Sequence, residues 1–107
     1  MRLKGLTVRW VPNSLPWSRI GTSVGRRFGN AVRRNRVRRV LKELYRTRKG
    51  QFPQGIDMVF MPQRGFLEHH RDWQEKTFAT AARRISSSYT RMQQANNRKP
   101  SISQRAV

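Results

Sequence analysis

Between Arg26 and Lys49 the chain carries eleven cationic side chains, Arg26, Arg27, Arg33, Arg34, Arg36, Arg38, Arg39, Lys42, Arg46, Arg48 and Lys49, against one acid, Glu43. Most of these are arginines, whose planar guanidinium pairs with phosphate in bidentate fashion and stacks on bases. The chemistry such a run supports is recognition of a polyanion rather than bond making. Glu68, His69, His70 and Asp72 form the one cluster of metal-capable side chains. On a helix, adjacent histidines project about 100° apart. Helical zinc sites place theirs at i and i+4, so the cluster fits a polar helix surface better than a ligand set or an acid/base site. Asp57 stands among apolar neighbours and reads as a hydrogen-bond acceptor in a turn or the partner of an arginine. Paired carboxylates, a Ser/His/Asp set and a phosphate-cradling glycine loop do not occur. An enzyme containing this chain therefore draws its chemistry from a partner, and a metal-dependent nuclease acting through His69, His70 and Asp72 is the disfavoured reading.

The composition points the same way. A net charge of +19 on 107 residues repels itself and is tolerated where an acidic partner supplies the missing charge. Nucleic acid is the leading partner and an anionic membrane surface the second. No cysteine occurs, which excludes disulfides and thiolate metal sites. No apolar run approaches the roughly 18 residues of a membrane-spanning helix, and no signal-peptide core follows Met1.

The elements that must position the arginines are legible as patterns. From about Asn30, Val37, Val40, Leu41 and Leu44 recur at helical spacing and form one apolar face, which puts Asn35, Arg38, Arg39, Lys42 and Arg46 on the opposite side. Arg34/Arg38, Arg38/Lys42 and Lys42/Arg46 are like-charge pairs, each costing about 0.2–0.5 kcal/mol, and Arg39/Glu43 is the one pairing of opposite sign at that spacing. Arg33 and Arg34 sit near the helix N-terminus, where the macrodipole disfavours cations by about 0.3–1 kcal/mol. A polyanion relieves both penalties, and free N–H groups near Gly29 and Asn30 favour an anion there.

Ahead of this helix, Gly5–Val11 alternates as a strand and Arg19–Val24 resumes the extended pattern after a turn-rich stretch, which predicts an antiparallel hairpin. Gly50 is placed as the residue ending the helix, and Gln51–Gly55 as a loop. Ile56–Met61 reads as a central strand, so strand, helix and strand form a crossover unit. A second helix is predicted over Phe66–Ile85, with Leu67, Phe78, Ala81, Ala82 and Ile85 on one face. The fold class is α+β, with a mostly antiparallel sheet and a C-terminal helix. Residues 1–85 read as one folded domain, and 86–107 as a disordered polar and basic tail. Trp10 and Trp17, near the predicted hairpin end, are candidates for stacking on unpaired bases.

Arg19 to Arg39, RIGTSVGRRFGNAVRRNRVRR, resembles the protein subunit of bacterial ribonuclease P, whose signature is an R-x-G strand, a basic pair and then G-N-A-V-x-R-N-R-x-K-R. Arg19 and Gly21 match the strand, and Arg26 and Arg27 stand for the basic pair. Gly29, Asn30, Ala31 and Val32 match outright. Arg34, Asn35 and Arg36 form the R-N-R motif, completed by Arg38 and Arg39. Ile56–Met61 resembles the family's D-I-V-F-I segment, and the likeness runs from roughly Leu3 to Ile85. It implies that residues 1–85 form an RNA-binding domain built as a small α/β sandwich, with a left-handed strand-helix-strand crossover, an exception to the usual rule.

The resemblance also implies that Asn30, Arg33, Arg34, Asn35, Arg36, Arg38, Arg39, Lys42 and Arg46, with Arg26 and Arg27, bind the catalytic ribonuclease P RNA, one protein per RNA. The 5′ leader of precursor tRNA would meet a cleft on the sheet near Trp10, Arg26 and Arg27. Magnesium would act with the RNA subunit, which performs the hydrolysis, and this chain would hold no metal or catalytic residue of its own. A cytoplasmic location and no membrane partner follow from the same likeness. The family pattern opens with an aromatic-bearing helix that forms one wall of the leader cleft, whereas this chain starts at the following strand. Either the start lies upstream of Met1 or the cleft is reduced. A non-enzymatic basic RNA-binding or ribosome-associated protein is the alternative.

Overall fold

The computed structural model describes residues 1–98. Two short-range rules shape its sheet: alternate strand side chains point to opposite faces, and the apolar set must face a cover. In β1 (Arg2–Leu3), β2 (Leu6–Pro12), β3 (Arg19–Thr22) and β4 (Ile56–Pro62), the side chains Leu6, Val8, Ile56, Met58 and Phe60 are buried on one face. The helices α1 (Ala31–Arg48) and α2 (Arg71–Arg98) supply the cover. Val37, Leu41, Leu44 and Tyr45 of α1 and Phe78, Ala81, Ala82 and Ile85 of α2 complete the core. Phe60 lies at its centre, with ring centroids 5.0 Å from Phe78, 6.1 Å from Tyr45 and 6.3 Å from Phe52. The helices run side by side in the same direction, because Arg71 shares a cleft with Arg36 and Arg39, while Ser86 Oγ donates to the Gln51 carbonyl at 3.1 Å. The result is a two-layer α+β sandwich with the far face of the sheet uncovered by described residues.

The strand order β1-β2-β4-β3 corrects the hairpin reading. β2 pairs antiparallel with β4 from Leu6↔Pro62 to Pro12↔Ile56, and β3 pairs parallel with β4 from Arg19↔Asp57 to Thr22↔Phe60. β4 thus separates the two strands expected to pair. The residues between β2 and β3 pass across the start of β4, a span of about two inter-strand spacings, near 10 Å. Polar side chains pin them there. Asn13 Nδ2 donates to Asp57 Oδ1 at 2.9 Å, and the Asn13 N–H donates to the Gly55 carbonyl at 2.9 Å. Ser18 Oγ donates to the Pro53 carbonyl at 2.9 Å and accepts the Ile56 N–H at 3.1 Å. β3, α1 and β4 form the strand-helix-strand crossover expected from the pattern, with parallel outer strands.

Both helices differ from the sequence reading at their ends. α1 does not stop at a left-handed Gly50; it tightens into a 3-10 turn over Lys49–Gln51, after which Phe52 is buried. Phe66–Glu68 forms a separate 3-10 turn, entered through Gly65 at φ 97°, so α2 begins at Arg71 rather than Phe66. Gln74, which breaks the apolar stripe, is buried and closes this junction: its Nε2 donates to the carbonyls of Phe66 at 3.0 Å and His69 at 3.3 Å. At the other end α2 continues to Arg98, which corrects the disordered-tail reading for residues 86–98. Arginine, methionine, glutamine and alanine are sound helix formers, and no glycine or proline interrupts them before Pro100. The remainder of the predicted tail, 99–107, lies outside the described residues.

Asp57 has the role its neighbours suggested. Arg19 Nε and Nη2 donate to Asp57 Oδ1 and Oδ2 at 2.8 and 2.7 Å, and this bidentate contact, with the Asn13 amide, holds the carboxyl down at about 2 from its ordinary 3.8. A depressed carboxylate contributes stability above its unfolded value and loses it as the acid form takes over. Melting temperature should therefore fall between about pH 4 and pH 2 partly through this group, and Asp57→Asn should flatten that segment of the profile. An unchanged profile in the variant would remove Asp57 as a clamp.

Candidate RNA-binding surface

α1 is launched by a short structured lead-in. Gly25 opens a 3-10 turn over Arg26–Phe28, Phe28 is buried, and Gly29 follows at φ 151°, ψ −165°, a region essentially restricted to glycine. Asn30 then caps the helix: its Oδ1 accepts the Arg33 N–H at 2.9 Å, and its carbonyl accepts the Arg34 N–H at 2.9 Å. The Gly-Asn pair is thus a helix start before it is anything else. It fixes where every following arginine points.

Val37, Leu41 and Leu44 are fully buried, Tyr45 nearly so, and Val40 half-buried, while Asn35, Arg39, Lys42 and Arg46 are exposed as the spacing predicted, and Arg36 is exposed with them. Arg38, expected on the exposed side, is instead half-buried at the margin with Arg33 and Arg34. Some of these cations have partners within the chain. Arg33 forms an ion pair with Glu68, and its guanidinium lies 5.6 Å from the Phe28 ring centroid. Arg38 Nη1 donates to Asn35 Oδ1 at 2.9 Å. Glu43 pairs with Arg46 rather than with Arg39: Arg46 Nε and Nη2 donate to its two oxygens at 3.0 and 2.7 Å. These hydrogen bonds hold Glu43 below the usual carboxylate range and keep it ionised. Arg26, Arg27, Arg34, Arg36, Arg38, Arg39 and Lys42 form no ion pair among the described residues. Arg34 Nε is buried with no hydrogen-bond partner among them.

Two arginines absent from the sequence reading join this surface. A cleft of about 400 Å³ brings Arg64 beside Arg27, Gly29, Arg33 and Glu68. A second, of about 340 Å³, brings Arg71 beside Arg36, Arg39, Val40 and Glu43. Arg64 comes from the segment linking β4 to α2 and Arg71 opens α2, both far from the arginine run in sequence. Only the parallel packing of the helices reveals them.

Trp10, Arg26 and Arg27 do not come together. Trp10 lies on the helix-covered face, edge-on to Tyr89 at 6.1 Å, whereas Arg26 and Arg27 follow β3 at the opposite edge of the sheet. The alternation of β2 explains this, because Trp10 shares its parity with the buried Leu6 and Val8. The open face carries Thr7, Arg9 and Val11 beside Asp57, Val59 and Met61, with Val11 59% and Val59 37% exposed. Trp17 is exposed in the β2–β3 loop. Of the metal-capable cluster, Glu68 is engaged by Arg33 and the His69 ring stacks on Trp73 at 3.7 Å. Among the described residues no group of three or more histidines and acids is placed to hold a metal ion, and no helix is long and apolar enough to cross a membrane.

With this geometry, a family model described as ribonuclease P matches residues 1–97. The chain is 49% identical over 55 residues to the ribonuclease P protein component of Petrotoga mobilis, covering 51% of this chain and 47% of that protein. It is 43% identical over 56 residues to the Thermotoga maritima component, covering 52% and 48%. These matches span about half the length of the curated relatives. The solved ribonuclease P protein of Thermotoga maritima superposes with a TM-score of 0.72 at 30% identity, covering 79% of this chain and 81% of that one. The Staphylococcus aureus protein shares the fold, with a TM-score of 0.66 at 20% identity over 80% and 78%.

Asn30→Ala should cost about 1 kcal/mol of stability through the lost cap, with Asn30→Ser retaining most of it. Chemical denaturation checks this. Equal losses in both variants would mean that the side chain caps nothing.

Proposed function

Because the chain belongs to the ribonuclease P family, we propose that it serves as the protein subunit of ribonuclease P, binding the catalytic RNA and assisting 5′ maturation of tRNA in the cytoplasm. The observation that carries this reading is the α1 face, where the G-N-A-V-x-R-N-R residues form a capped helix whose arginines outnumber their acidic partners. Of the α1 arginines, Arg33 and Arg46 alone form ion pairs among the described residues. Phosphates of a folded RNA supply the missing charge. Arg34, Asn35, Arg36, Arg38, Arg39 and Lys42 grip the backbone, and Arg46 joins by sharing its guanidinium between Glu43 and a phosphate. Asn30, Arg33, Arg26 and Arg27 complete the contact at the helix start, with Arg64 and Arg71 widening it.

Hydrolysis belongs to the RNA with its magnesium. What this chain provides is charge neutralisation and positioning, in keeping with acids that are engaged in structural ion pairs. The open face of the sheet suits the single-stranded leader better than the Trp10 side does. Val11 and Val59 offer apolar support there and Arg9 a phosphate partner, with Arg26 and Arg27 beyond the β3 edge.

Reconstitution with a bacterial ribonuclease P RNA at low magnesium should stimulate cleavage at the tRNA 5′ end. In the same system Arg34→Ala/Arg38→Ala/Arg39→Ala should reduce the slope of log K against log salt by about 2.7, at roughly 0.9 per phosphate contact. Binding without stimulation would contradict the ribonuclease P reading, and a flat salt dependence would contradict the electrostatic grip. For the leader, Arg9→Ala/Val59→Asp should weaken binding of precursor tRNA severalfold while leaving mature tRNA unaffected. Equal effects on both would place the leader elsewhere.

A further inference from the structure

A second cationic surface lies on α2. This helix has no acid after Glu75, and Lys76, Thr80, Arg84, Ser87, Ser88 and Arg91 fall on one flank of it, recurring mostly at three- and four-residue steps. That flank lies over β1: Lys76 and Thr80 share a cleft of about 220 Å³ with Leu3 and Lys4. Farther along, Arg83, Arg84, Ser87, Ser88 and Arg91 line a cleft of about 410 Å³ together with Trp10. One side of this cleft is aromatic, since Trp10 is held edge-on against Tyr89 and remains half-buried. Arg84 and Arg91 are two helical turns apart, about 10.5 Å along the axis, with the serine hydroxyls between them.

The far end of α2 is a helix without tertiary support. Every residue from Thr90 to Asn96 is exposed, and the one side-chain pair described near it is Arg91 Nη2 donating to Ser88 Oγ at 3.4 Å. Isolated polar helices of this length are marginal in water and gain stability from a partner. The apolar face of α2, Phe78, Ala81, Ala82 and Ile85, is buried against the core, so no such face is left to enter a bilayer.

The geometry points to a second RNA contact: the β1-side flank of α2, from Lys76 to Arg91, holds a phosphodiester backbone. Arg84 and Arg91 pair with phosphates, Ser87 and Ser88 donate hydrogen bonds between them, and Trp10 supports a ribose or base. This inference rests on the ribonuclease P reading and extends it. β1 and β3 are opposite edges of the sheet, so the α2 contact lies on the β1 side while the α1 lead-in follows β3. The protein then braces two segments of one RNA rather than gripping one.

The test is the full chain carrying Arg84→Gln/Arg91→Gln, bound to ribonuclease P RNA across a salt series and footprinted with hydroxyl radicals. The log–log salt slope should fall by about 1.8. Backbone protection should be lost at nucleotides different from those lost with Arg38→Gln/Arg39→Gln. Circular dichroism verifies that α2 is retained, and Arg91→Lys should keep most of the slope. An unchanged slope and footprint, with the α1 variant losing both, would overturn the α2 contact while leaving the ribonuclease P reading intact. So would wild-type binding to phosphatidylglycerol vesicles or to poly-glutamate that the α2 variant abolishes without any change in the RNA slope. If the wild-type chain fails to stimulate cleavage, the ribonuclease P reading fails instead, and the slope on a generic structured RNA still decides the α2 contact.

Discussion

Repulsion among the arginines of α1, held in place by burial of the opposite face, is the constraint on which the rest of the structure depends. Each like-charge pair costs about 0.2–0.5 kcal/mol, and the cations of the first turn add about 0.3–1 kcal/mol at the dipole. Burial of Val37, Leu41 and Leu44 returns about 1.5–3 kcal/mol apiece. Burial wins, so the helix forms on the sheet with its charges pointing outward and largely uncompensated. That imbalance is what a polyanion reads.

The few acids follow the same logic. Of the five in the chain, Asp57, Glu43, Glu68 and Glu75 are ion-paired with Arg19, Arg46, Arg33 and Arg71. Asp57 ties the β2–β3 loop across the start of β4, and Glu68 ties the turn before α2 to the first turn of α1. Negative charge is thereby placed at joints of the fold and kept off most of the α1 surface. Asp72 alone of the acids forms no ion pair among the described residues.

Much of the site was legible in the sequence because helical periodicity is local. Val37, Leu41 and Leu44 fix the orientation of α1, and Asn30 fixes its start, so exposed Arg39, Lys42 and Arg46 follow from spacing, whereas Arg38 turns out half-buried and Arg36 exposed. Strand pairing is not local. β2 and β3 look like a hairpin until β4, arriving after α1, takes the place between them, and this moved Trp10 away from Arg26 and Arg27. Arg64 and Arg71 were missed for the same reason, since only the packing of α2 beside α1 brings them to the basic surface. The extent of α2 was missed because a polar segment was read as incapable of order, although Arg91 to Ala95 favour helix and no glycine or proline interrupts the segment before Pro100.

Thermal melting of the purified chain, followed by helix signal across a salt series with and without ribonuclease P RNA, tests the central claim most directly. If uncompensated charge on α1 is what limits the free protein, its melting temperature rises with salt as the repulsion is screened. Stoichiometric RNA at low salt should then raise it further. A melting temperature indifferent to both salt and RNA would contradict the account.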